Sequence, residues 1–277
     1  MSTITISAAD VNKLRTQTGA GMMDCKKALM EANGDFEKAI DYLRKTGQKV
    51  AANRADRDAK EGYIVAKTNA DATQGFLVAL SCETDFVAKS ADFVKFADEL
   101  LDVAITNKPA TIDALKALKM GDHTVADKLF DIIGKIGEKI DITAFEMIEA
   151  PKVVIYIHPG NKVVSMVGLS SASAPAETGK DVAMQIAAMN PVAIDKNDVD
   201  SKTLEREIEV GKEQARAEGK PEEMLEKIAQ GKLNKFYKEN TLLNQQFIKE
   251  DKIDIRTYLD KTEKGLTVKV FRRIQIG

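Results

Sequence analysis

Cys82-Glu83-Thr84-Asp85-Phe86-Val87-Ala88-Lys89 is the stretch on which the fold turns. It follows the apolar run Phe76-Leu77-Val78-Ala79-Leu80, which reads as a buried strand, and it precedes a helical run from Phe93 to Ala104. The stretch therefore hands a strand over to a helix. Thr84 or Asp85 can cap the first turn by accepting bonds from backbone N–H groups that have no partner inside the helix. Phe86 falls at the start of that turn, at the rim of a domain. Phe86, Phe93 and Leu100 recur every seven residues, so in one continuous helix Phe86 would begin the core stripe. Ser90-Ala91-Asp92 reads as a fresh helix start. A break there would free Phe86 to face solvent beside an acid, the setting of an aromatic binding anchor. Spacing alone leaves both orientations open.

Outward from the corner, the pattern is that of an α+β protein. Strands are expected at Tyr63–Lys67 and Gly75–Cys82 around a polar turn, and at Ile142–Glu149 after two further helices. The second of those helices opens at the capping box Thr124-Val125-Ala126-Asp127 and is expected to run to Ile140. Gly134 and Gly137 within it each cost about 1 kcal/mol relative to alanine, which implies either a close backbone neighbour or an early end. A second strand–strand–helix unit follows. Its strands are Val153–His158 and Lys162–Leu169 around Pro159-Gly160-Asn161, its helix is Thr178–Met189, and a late strand carries Leu266, Val268, Val270, Ile274 and Ile276.

Two regions stand apart from this core. Residues 1–47 read as three helices: one capped at Ser7 and stopped at Gly19, one over Asp24–Ala32, and one capped by Asp35 with Phe36, Ala39, Ile40 and Leu43 on one stripe. Met22 and Met23 are adjacent, so one of them is expected on the surface, where a flexible thioether suits a contact. Gln48–Lys60 has Val50 as its one large apolar residue and reads as a solvated, partly helical linker. The other region is an insertion in which about half of the residues from Glu205 to Lys235 are charged. Leu204 and Ile208 on one side, and Met224, Ile228 and Phe236 on the other, predict an antiparallel helical hairpin with a thin apolar seam. The expected division is 1–55 for the three-helix unit with its linker and 56–149 for the first half of the core. The second half is expected at 150–190 with 237–277, and the inserted hairpin at 191–236.

Composition narrows the function classes. The 277 residues suit about two domains. Forty-four per cent hydrophobic residues support a sizeable core. The 41 basic and 43 acidic residues give no overall field for nucleic acid or an anionic membrane. No apolar run approaches the ~20 residues of a membrane span. The N-terminus lacks the pattern of a secretory signal. Two cysteines without a framework fit a reducing compartment, so a cytoplasmic location is expected. Cys25, Cys82, His123 and His158 have no metal-ligand spacing, and no metal or cofactor is expected. Thr18-Gly19-Ala20-Gly21-Met22-Met23-Asp24 lacks the third glycine and the preceding strand of a dinucleotide loop, so it reads as a helix–helix turn. A Cys82–His158 nucleophile–base pair is conceivable. Cys82 ends an apolar strand, however, where a buried, inert thiol is the plainer reading.

The order of two motifs then points to a family. Thr18-Gly19-Ala20-Gly21-Met22-Met23-Asp24-Cys25-Lys26-Lys27-Ala28-Leu29 with Asn33-Gly34-Asp35 resembles the N-terminal signature of bacterial elongation factor Ts. Cys82–Lys89, with its Thr-Asp-Phe-Val-Ala-Lys core, resembles the second signature of that family. The resemblance implies a guanine-nucleotide exchange factor for the GTPase elongation factor Tu, bound in its nucleotide-free or GDP form, with no bond chemistry of its own. It implies that the first three helices form a ubiquitin-associated-like module touching the GTPase through Met22 and Met23. It also implies that Thr84, Asp85, Phe86, Val87, Ala88 and Lys89 form a wedge led by Asp85 and Phe86 that disturbs the partner's Mg²⁺ site. Ile136 and Gly137 match a further contact; Tyr156, His158 and Gly160, and with them Phe247 and Ile248, match contacts to the partner's third domain. The hairpin resembles a coiled-coil protrusion linked to homodimer contacts in some members. Some members continue into a C-terminal helix that contacts the GTPase; here the sequence ends at Arg272–Gly277, so that contact is expected to be absent. The competing expectations are a chaperone-like interaction module, which would bind without releasing nucleotide, and a hydrolase built on Cys82 and His158.

Overall fold

The computed structural model describes residues 6–277 and shows an α+β protein. Residues 1–5 of the expected first unit lie outside the described residues. Three helices come first: α1 (Ala8–Thr18), α2 (Met22–Glu31) and α3 (Phe36–Asn53). The Ser7 hydroxyl accepts the Asp10 N–H to open α1, and Gly19 closes it in the left-handed conformation at φ 70°. Asp35 caps α3 by accepting the Lys38 N–H. Leu14, Cys25, Ala28, Leu29 and Ala39 are fully buried between the three helices.

The core follows. Strands β1 (Glu61–Thr68) and β2 (Gln74–Cys82) lead into the single turn α4 (Asp85–Ala88) and then α5 (Ala91–Asn107). A short helix α6 (Ile112–Ala117) and the two-residue strands β3 (Lys119–Met120) and β4 (His123–Thr124) precede α7 (Val125–Ile136) and β5 (Asp141–Glu149). The second unit is β6 (Lys152–Ile157), β7 (Val163–Leu169) and α8 (Ala176–Met189). The hairpin helices α9 (Ser201–Ala217) and α10 (Glu222–Asn240) come next. The chain then returns through β8 (Gln246–Phe247), β9 (Glu250–Asp254), α11 (Ile255–Thr262) and β10 (Val268–Gln275).

Two three-stranded antiparallel sheets result, ordered β1-β2-β5 and β10-β7-β6. In each, a hairpin is followed by a helix, and a later strand joins the far side of the hairpin's second strand. Their inner faces meet: Ile64, Leu77, Ala79 and Ile148 pack with Val153, Val164, Met166 and Ile276. The outer face of the first sheet, with Val65, Phe76, Val78 and Leu80, is covered by Phe93, Leu100 and Leu101 of α5 and by Leu129 and Ile133 of α7. The outer face of the second is covered by α8 and α11 through Val182, Ile186, Ile255 and Leu259. The central strand β2 is thus covered on both faces, which is why it reads as an unbroken apolar run rather than an alternation.

Four sequence expectations shift. Helix α2 begins at Met22, two residues early, because Gly21 supplies its N-cap. Helix α7 stops at Ile136 and not at Ile140, since Gly137 is left-handed at φ 78°. Gly134 is the close-approach case: a Cβ there would lie 3.2 Å from the Gly47 Cα. That contact also corrects the solvated linker. Helix α3 continues to Asn53, packs on α7 at Gly47, and adds Val50 and Ala51 to the first core. A face built on glycine and alanine buries backbone, so a count of large apolar residues misses it. In the hairpin, the seam is Gly211 and Ala215 against Leu225, Ala229 and Leu233. Met224, expected in the seam, is exposed; the stripe runs one residue later, with Ile228 and Phe236 half-buried beside it.

Candidate functional site

Strand β2 delivers the chain to the corner with Cys82 fully buried, its thiol donating to the Thr84 carbonyl at 3.2 Å. Thr84 is extended and caps α4, and its hydroxyl accepts the Val87 N–H at 3.4 Å. Ala88 is buried beneath the turn and Val87 half-buried. The Ser90 hydroxyl donates to the Val87 carbonyl at 2.8 Å, and Ser90 then starts α5 afresh. The break rotates the turn off the α5 stripe. Phe93 and Leu100 are fully buried, while Phe86 is 83% exposed. Asp85 and Lys89 pair across the turn at 2.6 Å, and the Lys89 bond holds the Asp85 carboxyl below its usual range. The apex therefore presents an apolar ring beside an ionised carboxylate.

The corner is gripped by the loop after α7. One oxygen of Glu138 accepts the Glu83 and Thr84 N–H groups at 3.1 and 3.0 Å, and the other accepts the Thr84 hydroxyl at 2.7 Å. In return, one Glu83 oxygen accepts the Lys139 N–H at 2.7 Å and pairs with Arg54 of the α3 C-cap at 2.7 Å. Those donors, the Lys139 N–H foremost, hold the Glu83 carboxyl below its usual range. Ile136 and Gly137, half-buried at the end of α7, are thereby tied to the corner that carries Phe86.

The β6–β7 turn comes to the same side. Asn161 clamps the edge of β1, its carbonyl accepting the Ile64 N–H at 2.8 Å and its amide donating to the Ile64 carbonyl at 3.1 Å. Between turn and corner lies an open cleft of about 480 Å³, lined by Asp85, Ala88 and Lys89 on one side and Gly160, Asn161 and Lys162 on the other. Gly160 is exposed and left-handed at φ 92°. Tyr156 and His158 bond to each other at 3.1 Å, with His158 exposed. On the other flank, Gly19 of the α1–α2 turn rests against Lys135, whose ammonium pairs with Asp92 at 2.8 Å. Met22 and Met23 are both exposed, at 55% and 74%. Neither is needed inside, because Cys25, Ala28 and Leu29 already fill that face of α2.

Phe247 and Ile248 part company. Phe247 is buried and stacked on Tyr258 at 4.3 Å between ring centres, so its ring offers no surface. Ile248 is exposed and anchored by its N–H to the Gln185 side chain at 2.9 Å, on the α8 layer away from the corner. Cys82 and His158 do not form a pair, since each is engaged elsewhere. Burial, reinforced by the nearby Glu138 charge, pushes the Cys82 thiol up to about 12, far from a nucleophile's range. Among the described residues, no three His, Cys, Asp or Glu side chains are grouped to hold a metal, and no helix is long and apolar enough to cross a membrane. Sequence reasoning missed Glu138, Glu83, Lys139 and Arg54. No local pattern marks contacts between residues 29 to 56 positions apart.

Comparison with known proteins bears on the whole chain. The family described as Elongation factor TS matches residues 83–277. A protein named Elongation factor Ts from Cytophaga hutchinsonii is 57% identical over 99% of both chains. One of that name from Amoebophilus asiaticus is 53% identical over 98% of this chain and 99% of its own. One from Chloroherpeton thalassium is 44% identical over 98% of both.

Proposed function

The chain belongs to the elongation factor Ts family of translation elongation factors, and from that premise we propose that it is the guanine-nucleotide exchange factor of elongation factor Tu. It binds the nucleotide-free or GDP form of that GTPase, drives the Asp85–Phe86 apex toward the Mg²⁺ site, and speeds GDP release so that GTP can enter. The single observation that carries this reading is the 83% exposure of Phe86 on a turn held by buried contacts on both sides. A free ring in water has no structural use. Docked, it gains about 2–3 kcal/mol of burial. That gain exists only in the complex the wedge can enter, and by linkage the nucleotide and the factor weaken each other's binding by the same factor. No bond is made or broken, so the protein acts by differential binding.

In the same reading, Met22 and Met23 carry the three-helix unit, residues 1–55, onto the GTPase. Ile136 and Gly137 add to the corner, and Tyr156, His158 and Gly160 reach a further domain of the partner. At the last contact Ile248 supplies the surface and Phe247 supports it from below. The setting is cytoplasmic, without nucleic acid or membrane. The hairpin's outward Val210 and Met224 are available to a second copy, which sedimentation at increasing concentration would detect.

The test is release of a fluorescent GDP from elongation factor Tu. Phe86→Ala is expected to lower the stimulated rate by one to two orders of magnitude, since each ~1.4 kcal/mol is tenfold, with no change in thermal stability. A parental rate in that variant would remove the wedge while leaving family membership intact. Binding without any acceleration by the parent protein would instead favour an interaction module of the chaperone kind.

A further inference from the structure

We propose that Glu138 is the positioning residue of the wedge: its carboxylate sets the direction of α4 and so of Phe86, and couples the corner to the end of α7. The proposal rests on the exchange reading above. A helix of four residues cannot hold itself, because one turn does not repay the entropy of fixing its backbone. Something outside α4 must set the angle of Phe86.

The Glu138 carboxylate is that support. It takes three donors at the entry to the turn, the Glu83 and Thr84 N–H groups and the Thr84 hydroxyl, at 3.1, 3.0 and 2.7 Å. Bonds to an ionised acceptor are about twice as strong as neutral ones. The return bond from the Lys139 N–H to Glu83 makes the link reciprocal, so corner and loop cannot shift apart without breaking bonds on both. Arg54 on the same Glu83 oxygen extends the brace to the end of α3. The segment from Gly137 to Lys139 is thus more than a connection out of α7. It locks two surface features, the Phe86 apex and the Ile136–Gly137 ledge, into one rigid relief. A pre-set relief docks without having to order itself first, which lowers the cost of association.

Glu138 itself does not extend the apolar surface, so its effect should pass through Phe86. A double-mutant cycle reads that dependence. Glu138→Ala is expected to reduce stimulated GDP release on the order of tenfold by loosening the turn. In a Phe86→Ala background it is expected to cost almost nothing further. Glu138→Gln is expected to stay within about threefold of the parent, because its amide oxygen still accepts both N–H groups and its amide N–H can donate to the Thr84 hydroxyl. A general loss of fold would not produce that non-additivity or that rescue.

Amide hydrogen exchange of the free protein provides a readout independent of the GTPase. The Glu83 and Thr84 amides should be protected in the parent and in Glu138→Gln, and exposed in Glu138→Ala. Unprotected amides in the parent would overturn the brace itself. Equal losses from Glu138→Ala with and without Phe86, or a parental rate in Glu138→Ala, would overturn its positioning role. A parental rate in Phe86→Ala would overturn the wedge and with it that role, while the amide measurement would still report on the brace.

Discussion

At Phe86 two sequence signals disagree. The seven-residue spacing to Phe93 and Leu100 places the ring in the core, and the Ser90 helix start takes it out. The local signal wins because the extended Ser90 between the two helices resets the helical phase, and phase is all that the spacing measures. The adjacent methionines show a related effect. The sequence places one on the surface, and both are there, because Cys25, Ala28 and Leu29 already fill the space inside. The cysteines show the opposite case, residues whose chemistry is suppressed by position. Both are fully buried, and burial raises both thiols above their ordinary value, Cys82 to about 12. A thiol-specific reagent at neutral pH should therefore titrate neither in the folded protein and both after denaturation. Fast native reaction of Cys82 would revive the hydrolase reading.

At the scale of elements, glycine does what large apolar residues do elsewhere. Gly47 of α3 faces the Phe130 carbonyl and Gly134 of α7, so the two helix backbones touch. A Cβ at Gly47 would enter the space of that carbonyl oxygen, and backbone cannot step aside as a side chain can. Gly47→Ala is expected to destabilise by about 1–3 kcal/mol in urea melts, the usual cost of overpacking. An unchanged midpoint would mean the helices separate freely. The start of α7 allows a pH test. The Asp127 carboxylate accepts from the Thr124 N–H and hydroxyl, and the hydroxyl bond foremost holds its pKa below the ordinary 3.8. A lowered carboxyl stabilises fully above the unfolded value and loses that contribution as pH falls through the folded one. Asp127→Ala should cost about 1 kcal/mol near neutrality, and the difference from the parent should shrink well below pH 3.8. A pH-independent difference would show that the cap does not act through its charge. In the hairpin, surface pairs such as Lys212–Glu226 at 2.7 Å contribute little. The Gly211–Ala229 contact sets the approach of its helices.

At the scale of the molecule, the two sheets form one body and the hairpin an excursion from it. The excursion begins and ends together: the Val192 N–H donates to the Asn240 carbonyl at 2.9 Å, and the Leu242 N–H to the Ala193 carbonyl at 2.9 Å. Its buried seam residues belong to none of the core clusters. Replacing residues 204–236 with a short Gly-Ser linker should therefore leave a cooperatively melting protein within about 1 kcal/mol of the parent. It should also retain stimulated GDP release. Loss of cooperative melting would show that the hairpin is part of the folding unit. The N-terminal unit is more closely joined, since α3 contributes to the first core and Arg44 meets both His123 and Asp131 across the junction.

The sequence by itself determined what depends on near neighbours. It marked the caps at Ser7, Asp35 and Thr124, a cap at Thr84 or Asp85, the stop at Gly19, the strand pairs around their turns, and the family through two motifs. These are local because hydrogen bonds and side-chain periodicity act within a few residues. Only the tertiary structure decided which way Phe86 points, that Phe247 is covered while Ile248 is not, that Gly47 and Gly134 are partners, and that Glu138 grips the corner. Each of the last two is a contact across tens of residues. Its energy depends on two surfaces meeting at ångström fit, and neither surface alone carries the signal.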